Sequence, residues 1–197
     1  MKNLILLTSM IFLLFSCNKK EEETQPVQKI EKEFIEDSLV YEVVNAVLEM
    51  PEIKEYEVEY MLNFANPDLV DLERVEEKFY RYAEKYFGEV DTVSINNQIK
   101  KFRYSYYQKG QINNIELIDY DFINMNINHK LDSLNQSLEK YSPHVTISFP
   151  IFNKEKNVAF MSYLYECGFL CAHSKKFFIK KINGKWEIIF VYDEYIS

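Results

Sequence analysis

The feature that most constrains the fold of this chain is a change in the spacing of its apolar residues near position 143. Before that position they recur every three or four residues, as on one face of a helix. After it they alternate with polar residues, as in strands that bury one face. Helices followed by a run of strands predict an α+β fold, in which N-terminal helices pack on one face of a curved, meander-type antiparallel sheet.

The N-terminal part predicts three helices. One covers residues 31–50 and is ended by Pro51. Another covers residues 66–88, with an asparagine that can cap its start and Gly88 at its end. The third covers residues 131–141. The remaining segments are one predicted strand, residues 113–120, and two stretches compatible with helix or strand, residues 53–62 and 94–107.

The C-terminal part predicts four strands and a tight hairpin. Asn183-Gly184 separates two apolar segments, and this dipeptide favours the two-residue turn that joins antiparallel strands. After the turn, alternate residues from Trp186 to Tyr192 share one face of the last strand. The predicted strands cover residues 144–152, 157–166, 176–182 and 185–192.

Three short motifs stand out near the C-terminus. They read Ser148-Phe-Pro-Ile-Phe-Asn-Lys154, Cys167-Gly-Phe-Leu-Cys171 and Asn183-Gly-Lys-Trp186. Together they resemble the C-terminal module of a group of small exported Bacteroidetes proteins, which implies export but no activity. Many members carry a glycine after the second cysteine, where this chain has Ala172. The element order is also similar to the nuclear-transport-factor-like cone fold, in which helices cup a curved sheet, and such a likeness carries no function by itself.

The first 17 residues combine a positive charge at Lys2, an apolar run over residues 4–15, and a small residue before Cys17. The run is shorter than the roughly 20 residues that a membrane-spanning helix needs, and it fits the central region of a signal peptide. Its end resembles the lipobox of bacterial lipoprotein precursors. The resemblance implies that residues 1–16 are removed and that Cys17 carries diacylglycerol and a fatty acyl chain such as palmitate, which together anchor a protein stably.

Residues 17–29 predict a flexible tether that leads to a single domain over residues 30–197. The tether is dense in charge and nearly free of apolar side chains, so it cannot bury enough surface to fold. Within it, Lys20-Glu21-Glu22 resembles the surface-export signal of Bacteroidetes lipoproteins, a lysine followed by acidic residues. The resemblance implies the outer face of the outer membrane. A solvated spacer on the periplasmic side is the alternative.

The charge balance argues against two classes of partner. The formal net charge is −8 and no basic stripe is present in the sequence. Nucleic-acid binding and adhesion to anionic lipid both need clustered Lys and Arg, so contact with the membrane is expected through the lipid alone. With 15 Tyr, 15 Phe and 4 Gly, the composition favours one packed globular domain.

Cys167 and Cys171 remain as a pair once Cys17 carries lipid, and three states stay open for them. In an oxidising compartment a disulfide is the default. Four residues of extended strand span about 13 Å, whereas a disulfide needs Cα atoms about 4.4–6.8 Å apart, so the chain must turn, which Gly168 allows. Reduced thiols are the second state. A zinc site that adds His173 is the third, although it lacks a fourth ligand.

The sequence contains no phosphate-binding glycine loop, nucleophile elbow or metalloprotease helix. A Cys–His nucleophile pair has no visible third group or oxyanion hole. Tyrosines pair apolar area with a hydroxyl, so they can line a cleft for sugars, peptides or apolar ligands, or belong to the core and the sheet surface. The candidates for a cleft are Tyr104, Tyr106, Tyr107, Tyr163 and Tyr165.

The sequence therefore favours a lipid-anchored cell-envelope protein that presents a non-catalytic binding or assembly domain, without a cofactor. One alternative is a small-ligand-binding or enzymatic domain with a cavity between the helices and the sheet. Another is an accessory subunit of an outer-membrane complex. A large cavity with convergent polar groups would favour ligand binding, whereas a filled core would favour the binding module.

Overall fold

The computed structural model describes residues 32–65, 77–119, 143–168 and 171–196. The predicted signal peptide, Cys17 and the tether lie outside these ranges, as do Asn66 at the start of the second predicted helix and the predicted helix over residues 131–141. Within the described ranges, no helix is both long and apolar enough to cross a membrane.

The helices begin at capping side chains. In α1 (Ser38–Leu48), the carboxylate of Asp37 accepts a hydrogen bond from the backbone N–H of Leu39. Asp91 caps the last helix in the same way, through the N–H of Ser94. The other helices are α2 (Pro51–Lys54), α3 (Glu77–Phe87) and α4 (Thr92–Phe102). α3 ends before Gly88, as predicted, where φ is +82°.

The strands build two sheets. In the small sheet, β1 (Glu33–Phe34) lies parallel to β3 (Ser105–Tyr106), and β1 is why the first helix starts later than predicted. The large sheet contains β2 (Tyr60–Leu62), β4 (Glu116–Ile118), β5 (His144–Ile147), β6 (Ile151–Phe152), β7 (Val158–Gly168), β8 (Cys171–Ile182) and β9 (Lys185–Ile196). Its order is β4-β2-β5-β7-β8-β9, and β6 pairs with β7.

The fold is α+β, as predicted, but the large sheet is mixed, so the prediction of a purely antiparallel sheet was wrong. β2 runs parallel to both β4 and β5, with Tyr60 opposite Glu116 on one side and His144 on the other. Only the part from β5 to β9 is antiparallel. Parallel neighbours are joined by long crossovers. The local spacing of apolar residues does not report the pairing direction of such distant segments.

Helices contact both faces of the large sheet. The sequence pattern predicted that they would pack on one face. On α3, the ring of Phe79 lies 4.9 Å from that of Phe160 and 6.1 Å from that of Phe178. On α1, Glu42 accepts a hydrogen bond from Lys181. Phe178 and Lys181 are three residues apart on β8, so the pleat directs them to opposite faces. α1 and α3 therefore contact opposite faces of this part of the sheet.

The core is one continuous apolar cluster that joins the helices to the sheet. From α1 it includes Val43, Val44 and Val47, all fully buried. Each aliphatic side chain that is fully buried contributes about 1.5–3 kcal/mol relative to exposure. The largest fully buried side chains are Tyr106, Tyr107, Tyr163, Phe149, Phe177, Phe178, Ile35, Met61, Ile147, Ile151, Met161 and Ile179. The described part of the core is thus rich in large apolar and aromatic groups.

β8 and β9 form the hairpin that the sequence predicts. Asn183 and Gly184 adopt φ of +50° and +81°, and Ile182 pairs with Lys185 across them. Positive φ at both central residues is the geometry whose twist matches that of the flanking strands. Farther from the turn the register of the hairpin shifts twice, and such irregularities increase the local twist and bend a sheet.

Candidate functional site at the free end of the sheet

A disulfide joins Cys167 to Cys171 where β7 passes into β8, with Cα atoms 5.3 Å apart. The chain turns at Gly168, whose φ is +123°, a conformation that residues with a Cβ rarely adopt. Gly168 and Cys171 are the last paired residues of the two strands. The predicted disulfide is confirmed, and it closes the end of the β7–β8 hairpin.

His173 follows the disulfide on β8 and is buried. It directs both ring nitrogens to protein side chains, Nδ1 to Tyr56 and Nε2 to Glu194. The sulfurs of Cys167 and Cys171 are bonded to each other, so in this state they are not thiolate ligands for a metal. Across the described ranges, no three side chains of metal-binding type come together.

The hydrogen bonds of His173 form a relay across this end of the sheet. Its Nε2 lies 2.9 Å from Oε1 of Glu194, and its Nδ1 contacts the hydroxyl of Tyr56. Because a carboxylate can only accept, it holds the proton of a neutral imidazole on Nε2, and Nδ1 then accepts from Tyr56. Nζ of Lys175 lies 3.1 Å from the same carboxylate oxygen.

Strand register brings the relay together. Tyr165 on β7 lies opposite His173, and Lys175 on β8 lies opposite Glu194 on β9. Since alternate residues share a face, these side chains lie side by side on one surface of the sheet. Tyr56, in the connection after α2, stacks on Tyr165 with ring centroids 4.4 Å apart and planes at 22°. That stack positions the phenol hydroxyl over His173.

The surroundings of Glu194 keep its carboxylate charged, and those of Tyr56 keep its phenol neutral. Hydrogen bonds from His173 and then Lys175 lower the pKa of Glu194. Burial, and then the charge of Glu55, raises the pKa of Tyr56. A hydroxyl in this state needs a neighbouring base before it can react as an anion.

Tyr163 adds a second hydroxyl beside that of Tyr56. Burial raises its pKa strongly, and the neighbouring Tyr56 and Glu194 raise it further. The side chain is fully buried, yet its hydroxyl has no hydrogen-bond partner of acceptable geometry among the described residues. Buried polar groups are almost always hydrogen-bonded. The Tyr163 O–H is therefore assigned to the phenol oxygen of Tyr56, since its interaction with that oxygen lowers the pKa of Tyr56.

The structure separates the five tyrosines that the sequence marked for a cleft. Tyr163 and Tyr165 both lie at the relay. Tyr106 is buried at the small sheet and contacts Phe34 and Phe64, with ring centroids 6.3 Å and 5.4 Å away. The remaining two differ in exposure: Tyr104 is 56% exposed, whereas Tyr107 is fully buried and donates a hydrogen bond to the carbonyl of Ile147.

Another histidine pair lies on the opposite face of the sheet. Nε2 of His144 on β5 is 3.3 Å from Oε2 of Glu166 on β7, and the two residues are cross-strand partners. Glu166 follows Tyr165 directly, so the pleat turns it away from the relay. His144 is buried, and neither ring nitrogen has a hydrogen-bond partner of acceptable geometry in the described ranges. The pair is a close side-chain contact and not an extension of the relay.

A small cavity of about 180 Å³ opens between α1, α2 and the segment before β4. Leu48, Ile53 and Ile115 contribute apolar walls, and Lys54, paired with Glu49, stands at its rim. Cavities that hold drug-sized ligands measure about 300–1,000 Å³. This cavity suits a much smaller molecule. It also does not lie between the helices and the large sheet, which is where the sequence analysis placed the cavity of a ligand-binding or enzymatic domain.

The outer edge of β9 is open among the described strands, since β9 pairs with β8 alone. Its last residues carry exposed apolar side chains: Val191 is 38% exposed, Tyr195 is 60% and Ile196 is 72%. Asp193 and Glu194 are also exposed. Long open edges are rare because they invite pairing with another chain, and charged residues normally discourage it. The end of β9 combines this open backbone with apolar contact area.

The sequence pointed to His173 as a metal ligand or as the partner of a cysteine nucleophile, and gave no sign of Tyr56, Lys175 and Glu194 as its neighbours. Tyr56 lies in a segment whose pattern fitted helix or strand, and Glu194 lies beyond residue 192, where the last predicted strand ends. The signal that could have found the last pair is the hairpin itself. Counting back from Asn183-Gly184, while allowing for the two register shifts of the hairpin, places Lys175 opposite Glu194.

Comparisons with protein-family models, with curated proteins and with solved structures found no match to this chain.

Proposed function

We propose that this chain is a lipid-anchored cell-envelope protein whose domain binds another protein by adding a strand of that protein to the open edge of β9. The proposal joins two kinds of support. The N-terminal residues resemble a lipoprotein precursor, with Cys17 as the lipidated residue, and the motif after it resembles a signal for export to the outer face of the outer membrane. The large buried apolar cluster of the described residues and the open edge support a binding or assembly role.

The observation that carries the proposal is the length and composition of the open edge. β9 covers Lys185–Ile196, 12 residues, which corresponds to roughly 40 Å of strand. An extended segment that pairs with such an edge gains main-chain hydrogen bonds, and pockets for alternate side chains give specificity. Tyr195 and Ile196, the most exposed apolar residues of β9, supply apolar area on either side of the new strand.

The charges along β9 favour a partner segment that carries basic residues. Glu187, Asp193 and Glu194 are exposed on this strand. In a homodimer that paired the ends of two β9 strands, the acidic residues of each copy would face those of the other, and like charges opposite each other destabilise a sheet. A basic extended segment of another envelope protein avoids that repulsion. The occupant we propose is therefore a different protein and not a second copy.

Site-specific photo-crosslinking of the full chain in intact cells tests the edge. A crosslinker in place of Ile196 is expected to capture one protein, and the added change Tyr195→Lys is expected to abolish the capture. A crosslinker at Val93, an exposed apolar position on α4, is the matched control. Capture of the same protein from both positions, or capture that survives Tyr195→Lys, would exclude strand addition at β9. Capture of a second copy would replace the partner with a homodimer.

Two further measurements test the anchor. Metabolic labelling with a palmitate analogue is expected to mark the wild type and to fail in Cys17→Ala. Protease treatment of intact cells should then remove the domain if it lies on the cell surface, and should spare it if it faces the periplasm. A wild-type chain without label would contradict the lipid anchor.

A further inference from the structure

We propose that Tyr56, His173 and Glu194 form a nucleophilic site in which the phenol oxygen of Tyr56 accepts an acyl group from an activated ester. This inference goes beyond the binding function proposed above and does not depend on it. It rests on the relay, on the hydroxyl of Tyr163 that interacts with the phenol oxygen of Tyr56, and on the different surroundings of the exposed tyrosines.

The relay has the arrangement that nucleophilic catalysis needs. A hydroxyl is hydrogen-bonded to an imidazole, and the other imidazole nitrogen is held by a carboxylate. In serine hydrolases the same order of groups lets the imidazole take the hydroxyl proton while the carboxylate orients it. Here a phenol stands where those enzymes have an alcohol. Tyr56 is partly exposed, whereas His173 is buried beneath it.

A donor for the negative charge that develops on the phenol oxygen is also at hand. As the phenol gives up its proton during the attack, negative charge builds up on its oxygen. The hydroxyl of Tyr163 is fully buried and interacts with that oxygen as a donor, which lowers the pKa of Tyr56. Donors that are already in place and shielded from water stabilise such charge more effectively than solvent does.

The step balances without any further reactant. The oxygen of Tyr56 forms a bond to the acyl carbon, and its proton passes to Nδ1 of His173. The bond between the acyl carbon and the leaving oxygen breaks, and the electron pair leaves with that oxygen as an aryloxide. The imidazolium that results is held against the carboxylate of Glu194, with Nε2 and Oε1 2.9 Å apart before the reaction.

The chain contains its own reference tyrosines. Tyr104 and Tyr195 are 56% and 60% exposed, so access to a small ester is not limiting there. Tyrosines without a neighbouring base react through the phenolate, which predominates only above about pH 10 in peptides. If Tyr56 reacts selectively near neutral pH, the cause is therefore its neighbouring base and not a greater accessibility than that of the other two tyrosines.

The test uses the full-length protein and 4-nitrophenyl acetate at neutral pH, followed by mapping of acetylated peptides by mass spectrometry. Mapping decides the result, because lysines also release nitrophenolate from this ester. We expect acetylation of Tyr56 at least about 100-fold faster than of Tyr104 or Tyr195, a typical contribution of a positioned general base. Equal rates at the three tyrosines would overturn the proposal.

Variants distinguish the loss of His173 as a base from a loss of the folded structure. His173→Asn is expected to slow acetylation of Tyr56 by about 100-fold or more, and Tyr104→Phe, at an exposed position outside both proposed sites, is expected to leave it unchanged. If His173→Asn does not fold, Glu194→Gln replaces it, because that side chain is partly exposed, and a loss of about tenfold or more is expected. A folded Glu194→Gln or His173→Asn protein that acetylates at the wild-type rate would exclude His173 as the base.

Discussion

At the scale of single residues, polar side chains at partly buried positions join the helices to the sheet. Glu42 on α1 is the clearest case: its Oε1 accepts hydrogen bonds from Nζ of Lys181 at 2.6 Å and from Nε1 of Trp186 at 2.8 Å. The bond from Lys181 is the main reason that the pKa of Glu42 is lowered. The indole N–H of Trp186 has a single proton to donate, so this carboxylate also satisfies a largely buried donor.

Glu42→Gln is expected to lower the free energy of unfolding at neutral pH by up to about 1 kcal/mol, because the ion pair is partly exposed. The pKa of Glu42 is lower in the folded state than its ordinary value of 4.5. Its contribution is therefore fully present above that value and is lost as the pH falls through the folded pKa. Urea unfolding should show the difference between variant and wild type shrinking from about pH 7 to about pH 3.

Glu36→Gln, at an exposed position, is the control and should show no such pH-dependent difference. A destabilisation by Glu42→Gln that stayed constant over the same pH range would contradict the ionic origin of the effect.

At the scale of elements, the end of the β7–β8 hairpin concentrates the features of the candidate site. The disulfide lies at the turn, His173 is two residues beyond it, and Glu194 reaches the same place from β9. Covalent closure of the turn holds the first residues of β8 in register with β7. The disulfide therefore stabilises the part of the sheet that holds both the relay and the exposed end of β9.

Removal of the disulfide by Cys167→Ser with Cys171→Ser is expected to lower the free energy of unfolding by about 2 kcal/mol, the chain-entropy contribution of a loop of this size. Urea unfolding with and without dithiothreitol measures it. The reductant should bring the wild type to the level of the double variant and leave that variant unchanged. A wild type whose stability does not respond to reduction would show that the bridge adds nothing.

The elements of the C-terminal third could be predicted because their signals are local. Asn183-Gly184 needs only its own two residues to favour the turn, and alternation defines β7, β8 and β9 within each segment. β4 lies inside the strand predicted over residues 113–120, whereas β1, β2 and β3 have only two or three residues each, too few for a period to be recognised. The segment over residues 53–62 divides between α2 and β2, which explains why its pattern fitted both.

At the scale of the whole molecule, protection from solvent is uneven across the large sheet. β8 pairs with a strand on each side and β9 with only one among the described strands. Backbone hydrogen bonds in the centre of a sheet open only with global unfolding, whereas those at an edge open locally. The backbone amide hydrogens of β9 should therefore exchange faster than those of β8, although the two strands are neighbours.

Hydrogen–deuterium exchange of the purified protein is expected to be slowest in the centres of β7 and β8 and much faster in residues 191–196 of β9. Peptide-level mass spectrometry measures it, and β8 serves as the internal reference. Addition of the captured envelope partner should slow exchange in residues 191–196 alone. If these residues are as protected as β8 in the isolated protein, the edge is already covered and cannot accept a partner strand.

Neighbours along the chain were enough to predict the change from helices to C-terminal strands, the β8–β9 turn, and a cysteine spacing that a turn at Gly168 can bridge. The parallel pairing of β2, the placement of α1 and α3 on opposite faces, and the contact of Tyr56 with His173 across 117 residues arise only in the folded protein. The physical reason is that pairing direction and contacts between distant segments depend on how crossovers and packing arrange those segments. Residue spacing within a segment holds no information about that arrangement.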